Sequence, residues 1–144
     1  MPLVLVGLVA VSGGADAGHK KPVSKPFTVT GTVPFPSGGG RCETAPHGKD
    51  RHVETFKAPE AGKFAAELTG FVGDYDMVVT NEAGTVVLSE SDNGAGTSSG
   101  NPSTGTAVEK ISYTVKKPMT IQLHVCNYAA GPTATGKYTF TYAR

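Results

Sequence analysis

The stretch from Gly73 to Ser91, GDYDMVVTNEAGTVVLSES, constrains the fold more than any other part of the chain. Side chains alternate across a strand, so Tyr75, Met77 and Val79 fall on one face, and Asp74, Asp76, Val78 and Thr80 on the other. Asn81-Glu-Ala-Gly84 supplies turn chemistry, with Gly84 free to take a positive φ. Val86 and Leu88 then alternate with Thr85, Val87 and Ser89. The pattern predicts two strands joined by a tight turn. A lone hairpin is marginal in water, so this one requires further strands and a core.

The same period recurs along the chain. Phe27, Val29 and Val33 against Thr28, Thr30 and Thr32 predict a strand from Phe27 to Val33. His52 to Ala58 has the mixed pattern of an edge or partly covered strand. Lys63 to Thr69 places Phe64, Ala66 and Leu68 inward, and Ala107 to Val115 does the same with Ile111, Tyr113 and Val115. Met119 to Cys126 alternates most cleanly, and Lys137 to Ala143 carries Tyr138, Phe140 and Tyr142 on one face. The 19 Gly and 10 Pro punctuate these segments, and no long stretch has helical apolar spacing. About eight short strands separated by turns predict one all-β domain, an antiparallel sandwich or barrel, over residues 27–144. A hydrophobic content of 38% against 17% charged allows a packed core and excludes a wholly disordered chain.

The N-terminus follows other rules. Leu3 to Val11 is apolar but too short to span a bilayer, and Ala15-Asp16-Ala17 follows as a cleavage pattern. Residues 1–17 therefore read as a secretory signal peptide, although no Lys or Arg precedes the apolar run. An apolar N-terminal strand is the rival reading. Residues 18–26, GHKKPVSKP, read as a basic flexible lead. With Asp16 removed, 13 basic residues face 11 acidic ones, a net charge of +2 that argues against nucleic acid or an anionic membrane as partner.

Cys42 and Cys126 are the only cysteines of a chain read as exported, so a disulfide between them is expected. Closing so long a loop is worth roughly 4 to 5 kcal/mol in the chain-entropy model. The C-x4-H-x4-H spacing of Cys42, His47 and His52 matches no established zinc pattern.

Certain residues then carry a resemblance. Phe56 leads to Ala58-Pro59, Gly62 opens an apolar strand, and Gly73-Asp74-Tyr75-Asp76-Met77 follows. Gly84 precedes a strand ending in Ser89 and Ser91, and a loop leads to Glu109-Lys110-Ile111. Ile121-Gln-Leu-His-Val125 is followed by Gly136-Lys137-Tyr138-Thr-Phe140. Over roughly residues 52–143 this resembles the bacterial pre-peptidase C-terminal domain, a jelly-roll β-sandwich that follows the catalytic domains of secreted peptidases. The resemblance implies a jelly roll and, for some members, calcium binding. Residues 1–51 are too few for a peptidase domain, so the domain is expected to stand alone.

Asp76 occupies that family's Gly-x-x-Asp position, and Asp74 lies two residues before it. Asp92, Asn93 and Glu109 could join them if the long polar segment 92–105 folds back, supplying oxygen ligands for calcium. The alternative is that Asp76 accepts hydrogen bonds from backbone amides and Asp74 starts a turn. Gly96-Thr-Ser98-Ser-Gly100 matches G-x-S-x-G without a following helix, so it is no nucleophile elbow. Gly131 to Tyr138 nearly matches a phosphate-binding loop, but Tyr138 replaces the required Ser or Thr and a strand follows. Asn101-Pro-Ser is not a glycosylation acceptor. His47, His52 and His124 read as surface or interstrand residues, and Tyr128 as an exposed aromatic beside Cys126.

These observations point to a secreted, monomeric, non-catalytic binding or accessory module that recognises an extracellular polymer or protein through a sheet face or the 92–105 loop. An alternative is a structural or chaperone-like partner of a separately encoded secreted hydrolase. A stand-alone hydrolase is the third reading and lacks a nucleophile–base–acid set.

Overall fold

The computed structural model describes residues 20–33, 42, 51–91 and 107–144. Eight strands follow one another: β1 (Val23–Val29), β2 (Arg51–Ala58), β3 (Gly62–Phe71), β4 (Tyr75–Asn81), β5 (Val87–Ser91), β6 (Ala107–Val115), β7 (Met119–Asn127) and β8 (Ala134–Tyr142). No described residue lies in an α-helix. The strands form two four-stranded antiparallel sheets, ordered β1-β8-β3-β6 and β2-β7-β4-β5. The all-β sandwich expected from the period-two pattern is the fold.

The two inner faces meet in one core. Phe64, Ala66 and Leu68 from β3 and Phe140 from β8 face Met77 and Val79 from β4 and Ile121, Leu123 and Val125 from β7. Phe56 sits 5.1 to 5.6 Å from the rings of Phe64, Tyr138 and Phe140. Each large apolar side chain buried this way contributes about 1.5 to 3 kcal/mol relative to exposure. The predicted β4–β5 turn forms: the Gly84 amide donates to the Asn81 carbonyl at 3.0 Å with Gly84 at φ 69°. Asn81 Oδ1 accepts from the Thr85 and Val86 amides at 2.9 and 3.1 Å, which closes the turn.

Several strand boundaries differ from the sequence expectation, and β1 ends at Val29 rather than at the expected Val33. β1 begins at Val23, so residues 23–26, read as part of a flexible lead, are paired with β8. β1 is an edge strand, where Pro26 need not donate to a neighbour, and its first four residues are exposed and show no alternation. Val33, expected inward, is 46% exposed, and Thr32 is buried in its place. β5 begins at Val87, leaving Val86 exposed in the turn. β8 begins at Ala134, ahead of the expected Lys137. The pattern is silent there because the Phe27 ring of β1 lies where a side chain on Gly136 would point.

Each long side of the sandwich has its own seam. At the β1–β2 side, Lys25 Nζ pairs with Glu54 Oε2 at 2.9 Å, and Phe27 stacks on His52 with ring centroids 5.6 Å apart. At the β5–β6 side, Ser89 Oγ donates to the Ser112 carbonyl at 2.9 Å. Cys42 and Cys126 form the expected disulfide, with Cα atoms 5.6 Å apart. Cys126 alternates with core Val125, so the bridge lies on the outer face of the second sheet.

Candidate functional site

The outer face of the first sheet holds a groove of about 780 Å³. Antiparallel pairing sets its floor in rows. Ala65 of β3 lies between Ser112 of β6 and Thr139 of β8, and Glu67 lies between Lys110 and Lys137. Thr69 is opposite Thr135. These residues point outward because they alternate with core Phe64, Ala66 and Leu68. Short side chains keep the floor shallow, while Lys110, Lys137 and Glu67 stand above it. Ser89 and Glu90 of β5 form a wall beyond β6. Lys110 Nζ and Glu67 Oε2 are 3.3 Å apart.

The sequence expectation named a sheet face or the 92–105 loop as the binding surface; the loop lies outside the described residues. The outward residues of the strand at Lys63 to Thr69 were visible in the alternation, but their neighbours on β6 and β8 were not. Glu67, Lys110 and Lys137 come from three segments that only the tertiary register aligns.

The calcium candidates are placed as follows. Asp92 and Asn93 lie outside the described residues. Asp74 stands just before β4, and its carbonyl accepts from the Tyr128 and Ala129 amides at 3.0 and 3.1 Å. Asp76 alternates with buried Tyr75 and Met77, so it projects from the outer face of the second sheet, opposite Cys126. Glu109 is fully buried and pairs with core Leu68, so it projects from the inner face of the first sheet. Among the described residues, no three His, Cys, Asp or Glu side chains converge as a metal-holding group. Asp76 and Glu109 project from different sheets and opposite faces, so Asp74, Asp76 and Glu109 are not brought together.

Other singled-out residues serve the scaffold. Tyr128, expected exposed, is half-buried and packs against the Cys42–Cys126 cluster. His124, expected at the surface or between strands, is 1% exposed, and its Nε2 lies 2.9 Å from Thr80 Oγ1 on the neighbouring strand. His52 Nε2 contacts Glu54 Oε1 at 3.1 Å. Burial opposes ionisation of Glu54, but hydrogen bonds and charge from Lys25 and His52 more than offset it and hold the carboxyl below its usual range. His47 and the segments containing Ser98 and Asn101 lie outside the described residues.

A buried polar knot that alternation could not reveal ties the β7–β8 connection down. The Tyr75 hydroxyl donates to the Gly131 carbonyl at 2.7 Å and lies 2.7 Å from Thr32 Oγ1. Asn127 Nδ2 donates to Thr32 Oγ1 and Gly131 O at 3.2 and 3.1 Å, while its Oδ1 accepts from the Ala130 amide at 2.8 Å. Burial pushes the Tyr75 hydroxyl above the usual phenol range, against the pull of Thr32 and Asn127. Gly73, at φ 94°, lets the β3–β4 connection pass against Ala129 and Ala130, with no room for a side chain.

Among the described residues, no helix is long and apolar enough to cross a membrane. Compared with known proteins, the chain matches no family model and no curated sequence.

Proposed function

We propose that this chain is a secreted, non-catalytic binding module whose groove across β8, β3 and β6 receives an extracellular polymer or protein. The groove carries the reading: it is an outward, shallow trough of small and charged side chains laid on three paired strands of the sandwich. Small hydroxyl and methyl side chains on its floor allow an extended chain to approach closely, and the lysines and glutamates supply orientation. Export is supported by the apolar run Leu3 to Val11, the Ala15-Asp16-Ala17 pattern and the buried disulfide, a bond that persists in oxidising compartments. We read the sandwich as a jelly roll, because six of its seven connections cross between the sheets and only β4 and β5 are neighbours in both chain and sheet. That winding suits the resemblance to the pre-peptidase C-terminal domain.

The test is a pull-down of the disulfide-bonded protein on collagen, chitin, cellulose and peptidoglycan, repeated with Ala65→Arg. The variant plants a long cation on the groove floor and leaves the core untouched. Retention of the natural chain on at least one polymer, lost in the variant at an unchanged melting midpoint, is the expected result. Equal retention of both places binding elsewhere, and retention on none of the four removes the support for a binding module.

A further inference from the structure

The charges of the groove are laid out in a fixed order. From β8 through β3 and β6 to the β5 wall they run Lys137, Glu67, Lys110, Glu90, alternating in sign. The inner two neutralise each other as the Glu67–Lys110 pair. Among the described residues, neither Lys137 nor Glu90 takes part in an ion pair, and both are exposed. The trough is left with a cation at one side and an anion at the other. Strands lie about 4.8 Å apart, and Glu90 stands beyond β6, so the two charges are separated by on the order of 10 to 15 Å.

We propose, resting on the groove reading above, that the ligand is an extended polypeptide carrying one acidic and one basic side chain about three to five residues apart. The acidic group sits on Lys137 and the basic group on Glu90, with the peptide crossing the strands beside the Glu67–Lys110 pair, over Thr139, Ala65 and Ser112. An extended chain advances about 3.3 Å per residue, which sets that spacing. Polar peptide groups find hydroxyls along that row at Ser112 and Thr139. A neutral polysaccharide fits less well, because no residue lining the groove is aromatic and sugar rings have no apolar face to stack on. A polyanion is repelled by Glu67 and Glu90, which cancel the two lysines.

The experiment measures binding of the disulfide-bonded chain to synthetic peptides in a Gly-Ser-Pro background. One carries Glu and Arg four residues apart, one has Glu replaced by Gln, one has Arg replaced by Gln, and one has the two charges adjacent. Heparin and a cello-oligosaccharide complete the panel. The spaced, doubly charged peptide is expected to bind tightest. Lys137→Glu and Glu90→Lys are each expected to weaken it about tenfold, because reversal turns an attraction into a repulsion. The double variant Lys137→Glu/Glu90→Lys regains binding, since the peptide then lies in the opposite direction. Tighter binding of heparin or the cello-oligosaccharide, abolished by Ala65→Arg, overturns the polypeptide inference and leaves the groove reading standing. Peptide binding that ignores Ala65→Arg overturns both. If no probe of this panel binds, the polypeptide inference falls, and the polymer pull-down alone then decides the groove reading.

Discussion

Asn127 shows how much one polar side chain can hold. It is fully buried at the end of β7 and bonds backbone and side-chain groups from both neighbouring connections. Asn127→Ala leaves the Ala130 amide without its acceptor and the Gly131 carbonyl short of a donor. A cost of about 2 to 4 kcal/mol is expected, read as a lower urea midpoint at unchanged slope. A midpoint within error of the natural chain would contradict the knot. Glu54 carries a pH signature. Its folded carboxyl is depressed, so its contribution is present above the ordinary carboxylate range and is lost as pH falls through the folded value. Glu54→Gln should therefore lower the melting midpoint at neutral pH, and the gap should shrink as pH falls below the ordinary carboxylate range and through the depressed folded value. Lys25 is 55% exposed, which keeps the gap small. A gap that does not change with pH would assign the loss to packing. None of this polar chemistry is legible in the alternation, which places Tyr75 inward but says nothing of where its hydroxyl ends.

Strands were more legible than single contacts, with failures at identifiable places. The interior of β3 and β6 follows apolar alternation because each is covered on one face, whereas β4 and β7 are also buried on the outer face around Val78, His124 and Cys126. β1 and the start of β8 escape it. β1 is a Pro-bearing edge with an exposed lysine, and β8 cedes an inner position at Gly136 to Phe27. Glu109 is the opposite case. The parity of Ile111 and Val115 already puts it on the inner face, yet its charge invites a surface reading. The disulfide fastens the β1–β2 connection to the outer face of β7, over a sequence separation of 84. Replacing both cysteines with alanine should cost about 4 kcal/mol, mainly by freeing the unfolded chain. Denaturant unfolding of the double variant beside the natural chain checks it. An unchanged free energy would mean that the bridge constrains nothing the sheets do not already hold.

At the scale of the whole molecule, the groove is a product of pairing. Lys137, Glu67 and Lys110 are outward residues of three strands, and each alone reads as an ordinary solvated side chain. The order β8-β3-β6 sets them in one row, and the return of β5 beside β6 adds the wall. The peptide-binding and polymer-retention experiments act at this scale, because each tests the row rather than any one residue. By itself the sequence determined the period-two alternation, the β4–β5 turn at Gly84 and the identity of the disulfide partners, since these depend on neighbours in the chain or on there being only two cysteines. Only the tertiary structure decided which strands are edges, which polar face becomes a trough and which charges share a row. Alternation is a local property of one strand, whereas β1 pairing with β8 joins opposite ends of the chain through contacts that no local pattern encodes.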